Sequence, residues 1–206
     1  MPAALALCLS LAVSYGLGAV PFGFVLAKWL RGVNLLEAGS GNIGATNVRR
    51  LCGMPLALAV FLLDTAKGIA AVGLARALLP RGPEVWAWGV VGCGLAAIVG
   101  HNWSVFLRFR GGRGVSTSLG VIIGLHPLTA ALAFASWVAV LGATRYVSVA
   151  SLVGCTVVAV LFSAFRLPAP YQALGYLGVG MMFYRHRPNL RRLLRGEEPK
   201  AWGVKQ

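Results

Sequence analysis

The chain has 206 residues, of which 58% are hydrophobic and only 12% charged, and its formal net charge is +14. Because soluble domains have about 25% charged residues, this composition excludes a water-soluble globular protein and favours helices within a membrane. The net charge would suggest a nucleic acid partner in a soluble protein, but in a membrane chain Lys and Arg mark the cytoplasmic side. We therefore expect the basic surface to meet anionic membrane lipids and no nucleic acid.

Apolar runs separated by Gly, Pro and charged residues predict about seven transmembrane helices. In chain order the runs cover residues 3–27, 53–79, 84–106, 114–125, 128–143, 147–165 and 169–184. The first run has no basic residue before it, so we interpret it as a retained helix and not as a cleaved signal. The sequence thus predicts an all-α integral membrane protein.

The placement of positive charge predicts the orientation of these helices. If the N-terminus is outside, most Lys and Arg residues lie in the inner loops and the C-terminal tail, which agrees with the positive-inside rule. A break at His126-Pro127 keeps the number of spans odd and places the basic tail, and hence the C-terminus, in the cytoplasm. We expect a single transmembrane domain over residues 1–206, with inner-side motif loops at about 38–50, 100–118, 144–151 and 186–198.

The first inner loop, AGSGNIGATNVRR, combines glycines with hydroxyl, amide and guanidinium side chains. Glycine lets successive N–H groups converge on a phosphate, and a helix that starts after the loop adds its dipole. The loop also fits GxGxxG, but no strand precedes it, and a P-loop would need Lys at Ala45. We therefore reject dinucleotide and ATP binding and favour an anion site over a flexible turn.

The second inner loop repeats this composition in Gly111-Gly112-Arg113-Gly114, followed by Ser and Thr. Its aromatic residues alternate with arginines, a pattern typical of membrane-interface anchors, and we expect His101 to be a structural hydrogen-bonding residue. Inside the second span, Asp64 and Lys67 are three residues apart and can form an ion pair on one helix face. Charges at that depth are either functional or structural, and the sequence leaves both interpretations open.

Few of the remaining polar residues could act as a general base that removes a proton. The sequence contains five acidic residues and four scattered cysteines, with no paired carboxylates, no GxSxG, no HxxxxD and no spacing suited to a metal. Cations and N–H groups, which bind phosphates and stabilise charge, are abundant instead. We expect a phosphate-binding site at a lipid interface, with no metal and no cofactor.

Five motifs in order, GSGNIGATNVRR, DTAKG, GHNWSVFLRFRGGRGVSTS, TRYVS and HRPNLRRLLRGEE, closely resemble those of the bacterial PlsY family. The family consists of acyl-phosphate:glycerol-3-phosphate acyltransferases of the inner membrane. The resemblance implies acyl transfer from a long-chain acyl phosphate to the 1-position of glycerol 3-phosphate, which yields lysophosphatidic acid and phosphate at the cytoplasmic face. It also implies a functional link to an enzyme that makes acyl phosphate.

The resemblance also assigns roles to individual residues. The expected catalytic residues are Ser40, Arg50, Arg113, His186 and Asn189. The expected substrate-binding residues are Gly39, Gly41, Asn42, Thr46, Asn47, Lys67, Gly112, Gly114 and Ser148. The sequence departs from the family where Arg113 replaces the usual Lys, and at Ile43, Ser104 and Ser116. Arg keeps the charge but is planar and bidentate, and we expect activity to be retained.

Two questions remain open at the level of sequence. The proton of the attacking hydroxyl could pass to the phosphate of the substrate, or His186 could act as general base. A transporter or flippase for an organophosphate would also use arginines and glycine loops. Transporters usually show internal repeats and a site near the midplane, whereas here the motifs fall on one side, which favours an enzyme.

Overall fold

The protein is described by a computed structural model that covers residues 2–80, 82 and 85–202. Regular structure in these residues is helical, apart from a 3-10 turn at Val105–Leu107 and an isolated bridge between Ser104 and Arg110. The helices are α1 Ala3–Ala19, α2 Phe22–Arg31, α3 Ala45–Cys52, α4 Met54–Leu78, α5 Val85–Asn102, α6 Val115–Leu125, α7 Pro127–Thr144, α8 Val147–Ala164 and α9 Ala169–Leu194. The predicted all-α class is confirmed.

Each predicted apolar run contains a helix, and the structure adds one break and one extension. The first run is interrupted between α1 and α2, because Pro21 has no N–H to continue the helical hydrogen bonds. The last run continues as α9 to Leu194, so the HRPN motif is helical. The predicted break before Pro127 separates α6 from α7.

Four segments in the described residues are long and apolar enough to cross a membrane. They are Ala3–Arg31, Met54–Leu78, Pro127–Thr144 and Val147–Ala164, while α6 is a shorter apolar helix. Many of their large apolar side chains are exposed, as expected for helices that face lipid. The count of seven spans and their orientation stay predictions.

The chain forms two compact units that meet in sequence at Leu125 and His126. In the first unit, glycines allow helices to approach closely: a Cβ on Gly68 would collide with the Thr117 carbonyl of α6, and one on Gly120 with the Thr65 carbonyl of α4. Dispersion forces and backbone contact stabilise such pairs in a membrane, where lipid is as apolar as the side chains. These contacts fix α6, and with it the second glycine loop, against α4.

The second unit contains α7, α8 and α9. Phe162 of α8 is fully buried and packs on α9, where Gly175 lies next to Ala159. Between α7 and α8, the Trp137 indole N–H donates to the Ser151 hydroxyl at 3.3 Å. This polar contact and the aromatic packing hold the helix ends that carry the third and fourth motifs. The prediction of a single domain over residues 1–206 stays a prediction.

Candidate functional site

The first glycine loop is organised by one buried side chain, Asn47. Its Oδ1 accepts the Ser40 N–H at 3.0 Å, and its Nδ2 donates to the carbonyls of Ala38 at 3.1 Å and Asn42 at 2.9 Å. Asn47 lies in the first turn of α3 and is buried. We expected this amide to bind substrate, and the structure shows that three of its hydrogen bonds hold the loop itself.

The remaining predicted residues of this loop lie around that centre. Gly39 and Gly41 have φ values of 60° and 66°, a left-handed conformation that glycine adopts without strain. The Asn42 Oδ1 accepts the Gly44 N–H at 2.7 Å, which turns the chain into α3. Ser40 is exposed at the loop surface, so its hydroxyl is accessible.

Two further predicted residues lie on α3, which begins directly after the loop. Thr46 and Arg50 are one helical turn apart and share a face of α3. The first glycine loop is thus followed directly by a helix start with the Thr46 hydroxyl, while Arg50 lies in the last turn of this eight-residue helix.

The second glycine loop is tied to the end of α1 by Ser104. Its hydroxyl donates to the Ala19 carbonyl at 2.6 Å, and its own carbonyl accepts the Phe109 N–H at 2.8 Å. Arg108 and Phe109 both adopt positive φ, 53° and 60°, so the turn carries backbone strain. Phe109 is exposed, which agrees with the predicted interface anchor.

The glycines of this second loop pack directly on His101. Gly112 donates its N–H to the His101 carbonyl at 3.0 Å, and a Cβ on Gly112 would collide with the imidazole. Gly114 has a φ of 78° and precedes α6, which begins at Val115. Arg113 is partly exposed between these two glycines. In this second loop a cation therefore lies two residues before a helix start.

A buried charged cluster lies beneath the second loop. The Lys67 ammonium contacts the Asp64 carboxylate at 2.8 Å and lies 3.0 Å from His101 Nδ1. It also donates to the Val20 carbonyl at 2.9 Å, at the break between α1 and α2. The side chains of Asp64 and Lys67 are both 3% exposed. The predicted ion pair is confirmed, and His101 has the structural role expected of it.

In the second unit, Glu198 is the centre of a polar cluster. Its Oε1 accepts hydrogen bonds from the Ser148 hydroxyl at 2.8 Å and from the Asn189 side-chain amide at 2.6 Å. Its Oε2 accepts a hydrogen bond from the side-chain Nε–H of Arg192 at 2.8 Å. The structure therefore joins two predicted site residues through a carboxylate that sequence reasoning missed. The position of this acid, at the end of the last motif, was the only available signal.

His186 is buried one turn before Asn189 on α9. Its Nδ1 lies 2.9 Å from the Met182 carbonyl, which can only accept, so Nδ1 carries the proton. In the neutral imidazole the lone pair then belongs to Nε2. This tautomer is compatible with the two roles considered for His186, orientation of the glycerol and proton acceptance.

The structure thus groups the predicted residues in two sets. Ser40 to Arg50, Lys67 and Gly112 to Gly114 belong to the first unit, and Ser148, His186 and Asn189 to the second. In the described residues, no group of three or more His, Cys, Asp and Glu side chains could hold a metal ion.

Comparisons with known proteins identify relatives over nearly the whole chain. The family model for glycerol-3-phosphate acyltransferase matches residues 8–196. A glycerol-3-phosphate acyltransferase of Gloeobacter violaceus is 44% identical over 189 residues, which are 92% of this chain and 92% of the relative. That of Desulforudis audaxviator is 44% identical over 197 residues, or 96% of each chain.

Solved structures are similar as well. The crystal structure of PlsY, an integral membrane glycerol 3-phosphate acyltransferase, in its glycerol 3-phosphate form has a TM-score of 0.88 and 35% identity over 96% of both chains. The lysophosphatidic acid form has a TM-score of 0.85 and 34% identity over 94% of both chains.

Proposed function

The chain belongs to the family of integral membrane glycerol-3-phosphate acyltransferases, and on this premise we propose that its acyl donor is a long-chain acyl phosphate. The fatty acyl group passes to the 1-position of glycerol 3-phosphate. The products are lysophosphatidic acid and inorganic phosphate, and the reaction is the first step of phospholipid synthesis. The enzyme lies in the bacterial inner membrane with seven spans, and its active site faces the cytoplasm.

The observation that carries this proposal is the pair of glycine loops in the first unit. Each loop leads directly into a helix start, and an arginine follows or precedes that start: Arg50 lies in the last turn of the short helix α3, and Arg113 lies two residues before α6. Both substrates carry a phosphate, so two cationic loops match two anions in number and in the sign of their charge. Crystal forms of PlsY with glycerol 3-phosphate and with lysophosphatidic acid support the choice of acceptor and product.

The donor supplies much of the driving force, because an acyl phosphate is a mixed anhydride with phosphate as its leaving group. The glycerol hydroxyl oxygen attacks the acyl carbonyl, an ester C–O bond forms, and the C–O bond to phosphate breaks. Ser40, Arg50 and Arg113 bind the anions and neutralise charge, while His186 and Asn189 orient the glycerol. The hydroxyl proton passes to the phosphate of the substrate.

The surroundings of the acidic residues support a mechanism in which no carboxylate removes the proton of the glycerol hydroxyl. Among the described acids, Asp64 pairs with Lys67 and Glu198 with Arg192, while Glu37 and Glu197 are exposed. In the proposed reaction, positioning and charge neutralisation account for catalysis.

The test is turnover by the purified protein in lipid nanodiscs supplied with palmitoyl phosphate and glycerol 3-phosphate. We expect phosphate release and lysophosphatidic acid in equal amounts, without added metal or coenzyme A. A parallel reaction with palmitoyl-coenzyme A is the control for the donor. Product formed only from the thioester would contradict the proposed donor, and no product from either donor in a folded sample would favour an organophosphate transporter.

A further inference from the structure

Lys67 lies where several backbone segments of the first unit meet. An ammonium group has three N–H donors, and three acceptor atoms surround Nζ within 3.0 Å. They are the Asp64 carboxylate, the Val20 carbonyl and His101 Nδ1. The ammonium is therefore held by three groups of the protein itself.

Through His101, the Lys67 ammonium is connected to the second glycine loop. Because His101 Nδ1 accepts from Lys67, the ring proton of the neutral imidazole is on Nε2. That edge of the ring faces Gly112, which has no Cβ to displace it and whose N–H donates to the His101 carbonyl. The Lys67 ammonium thus fixes the orientation of the His101 imidazole, against which Gly112 packs.

Through the Val20 carbonyl, the Lys67 ammonium is connected to the first glycine loop. The Val20 carbonyl lies at the break before α2, where Pro21 removes a regular helical hydrogen bond. Two residues later, a Cβ on Gly23 would collide with the carbonyl of Ile43, a buried residue of the first loop. Lys67 therefore connects through the start of α2 to the loop that carries Ser40.

We propose that Lys67, held by Asp64, is a positioning residue that sets the distance between the two glycine loops. This role rests on the proposed function, in which the two loops bind the phosphates of donor and acceptor. A displacement of one loop by about 1 Å would separate the reacting groups, and such errors reduce rates by up to about 100-fold. The pair thereby acts on the reaction without contacting substrate.

The test compares the single variant K67M with the double variant D64N/K67M. K67M leaves the Asp64 carboxylate buried without its cation, so we expect a lower Tm and lower activity. The double variant removes both charges with side chains of similar size, which restores the Tm. It still lacks the donors to Val20 and His101, so we expect kcat/KM to stay at least about tenfold below the parent.

The matched control is R76M on the same helix. Arg76 donates to the Leu125 carbonyl at the other end of α4, at 3.4 Å, so R76M also removes a cation bound to a carbonyl. We expect it to leave kcat/KM unchanged. A double variant that recovers both Tm and kcat/KM would reduce the pair to a structural ion pair and overturn the proposal.

Hydrogen–deuterium exchange keeps this test independent of the reaction. In D64N/K67M, we expect faster exchange of the backbone amides in residues 38–44 and 110–114, and unchanged exchange in R76M. If the double variant does not fold, the same exchange measurement is made on H101N. This variant keeps an acceptor for Lys67 but removes the edge of the imidazole that faces Gly112. Faster loop exchange in H101N supports positioning, and unchanged exchange overturns it. Failure of the parent to use acyl phosphate would contradict the donor and leave the exchange result valid.

Discussion

Glu198 shows how many contacts one carboxylate can stabilise in a chain with five acidic residues. Its two oxygens accept from Ser148, Asn189 and Arg192, which belong to the third and fourth motifs. A carboxylate can accept several hydrogen bonds at once, and bonds to a charged group are the stronger ones. The side chain thereby fixes the rotamers of two predicted site residues.

We expect E198Q to lower the free energy of unfolding by about 2–3 kcal/mol, the value of hydrogen bonds to a charged group. The Gln amide places an N–H₂ where a donor now points, so at least one of the three partners loses its acceptor. Thermal unfolding of the purified protein in detergent measures the effect.

Glu197 offers a matched control, since it precedes Glu198 and is exposed. E197Q removes the same charge from the same segment and should leave the Tm unchanged. An equal decrease in both variants would attribute the effect to net charge and not to the hydrogen bonds of Glu198.

At the residue scale, the sequence predicted the local parts of the site better than the distant ones. The glycine loops, their helix starts and the Asp64–Lys67 pair depend on residues close in sequence, so composition and spacing sufficed. The contact between Ser148 and Glu198 spans 50 positions, and no pattern in one sequence encodes it. For Asn47, a motif predicts that the amide matters but not that it binds its own loop.

At the scale of elements, the packing of α4 on α6 depends on positions where a side chain does not fit. Because Gly68 and Gly120 have no side chain, a backbone carbonyl of the neighbouring helix lies where a Cβ would otherwise be. Gly73, also on α4, has no atom within 4 Å of its Cβ position apart from its sequence neighbours and the backbone of its own helix. The same residue type therefore has a packing role at two positions and none at a third.

We expect G120A to destabilise the protein by about 1–3 kcal/mol, because the added methyl group forces α4 and α6 apart. G73A should instead stabilise by up to about 1 kcal/mol, since Ala has the higher helix propensity and the site is open. Tm values in detergent, with both variants prepared in parallel, give the comparison. Similar shifts in the two variants would show that helix propensity, and not packing, dominates at Gly120.

The boundaries of the helices were predictable because Pro, Gly and charge separate the apolar runs. The break between α1 and α2 was not predicted, since residues 3–27 form one apolar run. Pro21 ends the hydrogen-bond pattern there, and the Val20 carbonyl accepts from both the Phe22 N–H and the Lys67 ammonium. The contact that Lys67 of α4 makes with this break is one that periodicity within the run does not reveal.

For the whole molecule, the distribution of Lys and Arg predicts an outside N-terminus and a cytoplasmic C-terminus. A fluorescent protein that matures only in the bacterial cytoplasm should therefore be fluorescent when fused after the C-terminus. Alkaline phosphatase, which is active only outside the cytoplasm, should be inactive at the same position. Fusion of both reporters in the loop between α6 and α7 is the control and should give the opposite pattern. Active phosphatase at the C-terminus would contradict the odd number of spans.

The position of Glu198 also has a consequence for biosynthesis. A ribosome synthesises Ser148 50 residues before the carboxylate that accepts its hydroxyl, so α8 enters the bilayer before this hydrogen bond can form. Asn189 and Arg192 likewise precede Glu198 in translation. A nascent chain interrupted before this codon would leave all three donors without their shared acceptor.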